Sequence, residues 1–320
     1  MVKYNVNDFL ALQPHFDRVL HKKQLLDEAR PLTLYSLQKV KEQLFMEWTY
    51  NSNAMEGNTI TLNETKLVLQ DGMTVRGKSL REHFEVTNHH DAIAYLEQLV
   101  APSYTLRERD ILDIHQMVMQ RNDREFAGRI RNAGVRITGA NFVPPNALCV
   151  PDFLNELIGW TNTNPDELNA LWLATVFHHH MVWIHPFFDG NGRTVRLVMN
   201  LLLMREGFPP AIILKNDRKK YYEALNQANG GQYSKLALLM LQALERSLDI
   251  YLSAVPGRED GYLPISQIVE EEKIPYGQEY VSLLARQGKI DAYKEGRNWY
   301  TTTAALREYV KGRRRRRATK

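Results

Sequence analysis

A single cysteine, Cys149, stands in 320 residues. That excludes an internal disulfide framework and any zinc site built from cysteines. Long apolar runs are absent too, since none reaches the roughly 18 residues that a membrane-spanning helix requires. The first residues are polar and of mixed charge, unlike the basic-then-apolar start of a secretory leader. A soluble, cytoplasmic protein without a membrane anchor is therefore expected. Charge of one sign is also scarce once the end of the chain is set aside. The formal net charge is +4, but Lys311, Arg313 to Arg317 and Lys320 carry seven positive charges, which leaves residues 1–310 at −3. Five successive arginines repel one another and have no apolar face, so residues 311–320 are predicted to be a disordered basic tail. Such a tail can bind nucleic acid by counterion release or simply stay solvated. No internal repeat is visible. An apolar content of 44% over this length suits two or three globular domains.

The chemistry concentrates in residues 185–196, which read His-Pro-Phe-Phe-Asp-Gly-Asn-Gly-Arg-Thr-Val-Arg. Before them, Leu168 to Ile184 is apolar at helical spacing. After them, Thr194 to Met204 is apolar and helical until Gly207 and Pro209. The motif is thus a loop between two core helices, opening at a helix N-terminus, where free N–H groups and the dipole favour an anion. Gly190 and Gly192 let the backbone approach it closely. Arg193 and Arg196, three apart, share a helix face and can grip phosphates together. Asp189 would repel a phosphate unless a hard cation such as Mg²⁺ lay between them. His185, titrating near neutrality, can take a proton from an incoming hydroxyl.

This string resembles the signature of the Fic (Fic/Doc) family, His-x-Phe-x-Asp/Glu-Gly-Asn-Gly-Arg-x-x-Arg, at every defined position. The family transfers a nucleotide monophosphate, usually AMP from ATP, to a protein hydroxyl. The resemblance implies that His185 is the general base and that Asp189 holds Mg²⁺ between the α- and β-phosphates. It also implies that Asn191 with the Gly190 and Gly192 backbone seats the α-phosphate, and that Arg193 and Arg196 take the β- and γ-phosphates. Catalysis would then rest on positioning and charge neutralisation.

A second stretch, residues 51–58, reads Asn-Ser-Asn-Ala-Met-Glu-Gly-Asn. It resembles the family's inhibitory motif, Ser/Thr-x-x-x-Glu-Gly/Asn, with Ser52, Glu56 and Gly57 at the matching places. It precedes the core, as in the class with an N-terminal inhibitory helix. Glu56 is expected to pair bidentately with Arg196 and so remove a γ-phosphate ligand. Residues 132–147 read as a short β-hairpin, which in the family is a flap that clamps the target by strand addition. Tyr222 and Asn226, four apart on a helix, can stack on and hydrogen-bond adenine. His178, His179 and His180 point about 100° apart around a helix and cannot converge on one ion.

The expected architecture is mainly α. A Fic-type helical core carries a small β-hairpin flap and is followed by a winged-helix-like domain. The division runs 1–105 (helices with the inhibitory motif), 106–255 (core), 256–261 (linker), 261–310 (winged-helix-like) and 311–320 (tail). In the third part Ile265–Glu272 and Gln278–Gln287 read as helices, and Ile290–Ala292 and Trp299–Thr301 as strands flanking a wing. The reading is a protein adenylyltransferase that uses ATP and Mg²⁺ on a Ser, Thr or Tyr hydroxyl of a protein, itself included, and that is restrained by Glu56. Self-association into a homodimer fits relatives that gate the inhibitory helix this way. Two alternatives stand beside it: removal of AMP or another Fic-type phosphotransfer, and a DNA-binding regulator whose core senses nucleotide.

Overall fold

The computed structural model describes residues 6–29, 34–101, 105–255, 262–271, 275–295 and 298–318. Eleven helices come first: α1 (Val6–Leu10), α2 (Gln13–Glu28), α3 (Leu34–Met55), α4 (Leu62–Gln70), α5 (Leu80–Gln98), α6 (Glu108–Met119), α7 (Val150–Thr163), α8 (Ala170–Ile184), α9 (Asn191–Arg205), α10 (Arg218–Ala228) and α11 (Ser234–Ser253). Then follow β1 (Leu263–Pro264), α12 (Ile265–Glu271), α13 (Gln278–Arg286), β2 (Ala292–Glu295), β3 (Asn298–Thr301) and α14 (Thr303–Ala318). No described helix is long and apolar enough to cross a membrane.

The chain forms two compact units, and they do not follow the division read from the sequence. One comprises residues 1–14 and 41–244, the other 15–40 and 245–320. At the centre of the first lies α8, packed along α9. Leu171, Val176, Phe177 and Met181 of α8 are buried together with His178, His179 and His180, so this helix has no solvent face. Each end of α8 has a local cause. Asn169 caps the start by accepting from Trp172 N at 3.0 Å. His185 ends it in the left-handed region, at φ 50°. Around this pair pack α5, α6 and α7. Helix α5 starts at a capping box, in which Ser79 Oγ accepts from Glu82 N and Glu82 Oε2 accepts from Ser79 N. Helix α6 is amphipathic and buries Ile111, Ile114, His115, Val118 and Met119.

In the second unit a core of Ile265, Ile268, Val281, Leu284, Ala285, Ile290 and Leu306 lies under a three-stranded antiparallel sheet of order β1-β3-β2. Leu263 pairs with Thr301 on one side of β3, and Ala292 pairs with the same residue on the other. The two helices and the two longer strands fall near the places expected. Strand β1 was not anticipated, because two residues leave no periodicity to read. Residues 15–40 belong here because α2 supplies the cations of a buried ion cluster. Lys22 Nζ touches Glu245 at 3.0 Å, Asp249 at 2.6 Å and Asp291, while Arg18 Nε donates to Glu245 at 2.5 Å.

Two further expectations change. The arginine run is not a structureless tail, since α14 continues through it to Ala318. Arginine is a good helix former, and extending a helix anchored by buried Leu306 avoids the cost of nucleation. Residues 132–147 make a hairpin-shaped excursion turning at Ile137–Ala140, with Ala140 N donating to Ile137 O, but no ladder joins its arms. Pro144 and Pro145 lack N–H donors, and the arms are held from outside instead. The expected linker at 256–261 and the wing turn at 296–297 lie outside the described residues.

Candidate active site

The loop 185–190 joins α8 to α9 at the heart of the first unit. Gly190 is the first non-helical residue before α9, with φ 75°. A Cβ there would lie 2.9 Å from Met119 Sδ and 3.2 Å from His115 Nε2, so both conformation and space demand glycine. Asn191 shapes the loop. Its Oδ1 accepts from Phe187 N at 2.9 Å, and its Nδ2 donates to Phe187 O at 2.8 Å. Asn191 can offer an anion its backbone N–H and the second N–H of Nδ2, the first being held by Phe187 O.

His185 stands at the loop entrance. Its Nδ1 lies 3.4 Å from Val182 O, and because a carbonyl only accepts, Nδ1 carries the proton and Nε2 the lone pair. Burial depresses the imidazole pKa to about 4, with Arg131 adding to the depression and the Val182 carbonyl opposing it. The ring is neutral at physiological pH, as a general base must be.

Arg193 and Arg196 are buried, at 2% and 3% exposure. The carboxylate oxygens paired with Arg193 lie at 3.4 Å (Glu85) and 3.5 Å (Asp189). Among the described residues its Nε and Nη1, and Nη1 of Arg196, have no hydrogen-bond partner. Orphaned buried guanidinium donors are costly unless a ligand satisfies them. Asp189 is half exposed, and Arg81 Nη2 reaches its Oδ2 at 2.9 Å. Its Oδ1 accepts from Gly190 N at 2.6 Å. One accessible carboxylate beside an anion cradle fits Mg²⁺, which binds through one or two carboxylates and phosphate oxygens. Among the described residues no group of three His, Cys, Asp or Glu side chains could hold a metal.

The second motif meets the first here. Helix α3 ends at Met55, and Gly57 (φ 100°) closes its last turn, with Gly57 N donating to Ala54 O and Asn58 N to Asn53 O. That turn aims Glu56 at α9. Arg196 Nη2 donates to Glu56 Oε1 at 2.7 Å and to Ser52 O at 2.8 Å, and Arg196 Nε donates to Ser52 Oγ at 3.1 Å. The pairing is monodentate, not bidentate as expected: Ser52 takes Nε and shares Nη2, while Nη1 has no hydrogen-bond partner among the described residues. A Cβ on Gly192 would run into Glu56 Oε1, so the carboxylate lies directly on the first turn of α9. An acidic group already occupies the helix N-terminus.

The two adenine-site expectations separate. Tyr222 lies beside the Glu56–Arg196 pair: its hydroxyl pKa is raised by burial and then by Glu56, and Arg218 covers its ring at 5.2 Å. Asn226 does not face a base. Its Oδ1 accepts from Asn141 N, its Nδ2 donates to Gly139 O, and its carbonyl accepts from Asn141 Nδ2, so it clasps the tip of the flap. The three adjacent histidines are partnered separately, as His178 with Tyr221 and His179 with Asn229 and Tyr233 show.

Two residues that support the loop were not singled out from sequence. His115 Nδ1 accepts from Gly128 N at 3.0 Å, which leaves Nε2–H to donate to Asp189 O at 3.0 Å while the ring stacks on Phe187 at 3.6 Å. Arg131, 2% exposed, reaches the carbonyls of Ile184 and His185. Each comes from a distant segment, and the one available signal, the helical spacing of Ile111, Ile114, His115 and Val118, could have shown His115 as inward-facing.

Residues 105–203 match the Fic/DOC family. A curated relative called protein adenylyltransferase Fic, from Nematostella vectensis, is 37% identical over 244 residues, 76% of this chain and 56% of its own length. Among solved structures, a Fic-1 fragment from C. elegans superposes with a TM-score of 0.69 at 31% identity, covering 77% of this chain and 74% of that one. A Fic domain containing signaling protein from Bacteroides thetaiotaomicron gives the same TM-score at 27% identity over 97% of its length. The chain belongs to the Fic/DOC family. It spans about half the length of the curated relatives it matches.

Proposed function

We propose that this chain is a protein adenylyltransferase, moving AMP from ATP to a Ser, Thr or Tyr hydroxyl of a protein, itself included, and that Glu56 restrains it. The observation that carries this reading is the Glu56 carboxylate seated on Gly192 and bound to Arg196. An anion cradle filled by the protein's own acidic group is an inhibited phosphate site. Names of relatives point the same way.

In the reaction, backbone N–H groups at the start of α9 hold the α-phosphate, and Arg193 and the released Arg196 hold the β- and γ-phosphates. Asp189 is suited to hold Mg²⁺, which supplies charge neutralisation on the phosphates when bound. The neutral Nε2 of His185 takes the proton of the target hydroxyl. The hydroxyl oxygen forms a bond to the α-phosphorus, the bond from that phosphorus to the bridging oxygen breaks, and pyrophosphate leaves. Purified Glu56→Gly protein given Mg²⁺ and ATP tests this. Protein-bound label from the α-phosphate, and none from the γ-phosphate, is expected. Label from the γ-phosphate alone would make it a kinase-like relative.

One feature favours a second reading. Glu56 uses only Oε1 on Arg196 in the described structure, so Oε2 can orient a water for AMP removal. Loss of label from pre-modified protein on adding the unmutated chain would support it. We further propose that the arginine-rich end of α14 adds salt-sensitive affinity for nucleic acid; unchanged DNA binding on deleting residues 311–320 would count against it. Self-association is proposed on the family resemblance alone, and a monomeric mass in solution would remove it.

A further inference from the structure

A flap without a ladder has no stiffness of its own, so its position against His185 must come from its anchors. At the tip these are Asn226, and Asn229 Nδ2 on Asn141 Oδ1 at 2.8 Å. At the base, among the described residues, the guanidinium of Arg131 bonds to both feet. Its Nη1 donates to Ala133 O at 2.9 Å and its Nη2 to Pro145 O at 2.6 Å, one carbonyl from each foot of the flap. Its Nε donates to His185 O at 2.8 Å, and Nη2 also lies 3.4 Å from Ile184 O. Its backbone N–H donates to Pro186 O at 2.9 Å. Among the described residues its hydrogen bonds go to carbonyls and to no carboxylate.

That choice is informative. A buried cation without a counter-ion is a poor stabiliser, and an apolar residue would fill the space at lower cost. A planar fork with five fixed donors does what an apolar residue cannot: it holds several carbonyls in one rigid geometry. One of them belongs to His185, whose φ of 50° is strained for a residue with a Cβ and persists only where surroundings over-determine it.

We infer that Arg131 is a positioning residue that locks both feet of the flap and the His185 backbone into one piece, so that a target segment lying along the flap presents its hydroxyl in register with His185 Nε2. This rests on the proposed transferase reading. Arg131 touches neither ATP nor target; it acts through His185 and the flap.

The test compares Glu56→Gly with the double variants Glu56→Gly/Arg131→Lys and Glu56→Gly/Arg131→Gln. Lysine keeps the charge and loses the fork. Glutamine loses both and leaves no buried charge if lysine prevents folding. Self-modification from α-labelled ATP is expected to fall about 30-fold or more in both, since small misplacements of reacting groups cost up to about a hundredfold. ATP binding is expected to stay within about threefold of Glu56→Gly, as the register argument leaves the α9 cradle intact. Trypsin is expected to cut faster after Arg136, which is exposed on the flap. The acid limb of the rate profile is expected to rise in the glutamine variant, where a cation near His185 is gone, and to hold in the lysine variant. Transfer within threefold of Glu56→Gly in either variant overturns the inference, as does parallel loss of ATP binding and transfer. If Glu56→Gly itself carries no label, the transferase reading fails, and tryptic cleavage after Arg136 alone still judges the anchor.

Discussion

Two groups of buried charge in this protein are built on opposite rules. In the second unit Lys22 is surrounded: Glu245, Asp249 and Asp291 all lie on its ammonium, Arg18 covers Glu245, and the Tyr262 hydroxyl lies 2.7 Å from Asp249 and 2.8 Å from Asp291. The three carboxylates outweigh burial and hold Lys22 charged, with its pKa raised. At the start of α9, by contrast, two equally buried arginines keep N–H groups without hydrogen-bond partners among the described residues. One cluster has its cation fully engaged by carboxylates and ties α2, α11 and the residue before β2 together. The other is left incomplete even with Glu56 on Arg196, and on the proposed reading an anion from outside completes it. Unpartnered guanidinium donors at the start of α9 therefore set that cluster apart from one whose cation is engaged by carboxylates, and charge burial alone does not.

The comparison can be broken in four ways. His185→Ala is expected to reduce AMP transfer by about a hundredfold or more, the scale of a lost general base, while ATP affinity measured by titration stays near that of the parent. Transfer that survives would assign the proton to another group. Lys22→Met is expected to destabilise the second unit by about 3–5 kcal/mol, since it strands buried carboxylates; a denaturation midpoint close to the parent's would make that cluster as dispensable as a surface pair.

The third way uses pH. Burial depresses His115 to about 4, His178 to about 3 and His179 to about 4, as it does His185. Above pH 6.5 both folded and unfolded chains hold these rings neutral. As pH falls below 6.5 only the unfolded chain takes up protons, so stability declines until each ring reaches its folded value. On the proposed reading, in which His185 is the base, the transfer rate is expected to hold until pH approaches 4. An acid limb near 6.5 would mean that His185 is not desolvated in the working enzyme. The smallest effect belongs to Glu56→Gly. It should raise transfer yet change stability by no more than about 1 kcal/mol, because the Glu56 side chain is 31% exposed and its ion pair is partly screened. A large stability loss would move Glu56 from the incomplete cluster to the structural one.

How much of this was legible in the sequence follows the same line. Residues 185–196 are contiguous, so their chemistry could be read in one window, and the family pattern located Glu56. The α12–α13 helices and the sheet strands after them followed from periodicity and turn residues. Arg131 and His115 could not be read this way, because their roles are bonds to the carbonyls of residues 184, 185 and 189, and backbone partners leave no trace in side-chain spacing. Asn226 was read as a base ligand because a polar residue one turn from a tyrosine fits that role; the flap tip claims it instead. Asn191 was read as a phosphate ligand, and nothing in the sequence showed that its side chain also closes its own loop. Lys22 gave no signal at all. In the sequence it is one of two adjacent lysines on a polar helix, and only the fold distinguishes it from exposed neighbours.

The position of Glu56 on Gly192 has a consequence for how such a protein would be released. On the proposed reading the carboxylate is a tethered competitor, joined to the site by its own chain, and dilution cannot remove it. Its effective concentration is set by the last turn of α3, and a ligand must outcompete that fixed value rather than any amount in solution. Whatever loosens that turn by a few residues, at Asn53, Gly57 or Asn58, would raise the apparent affinity for nucleotide without altering a single group that touches it.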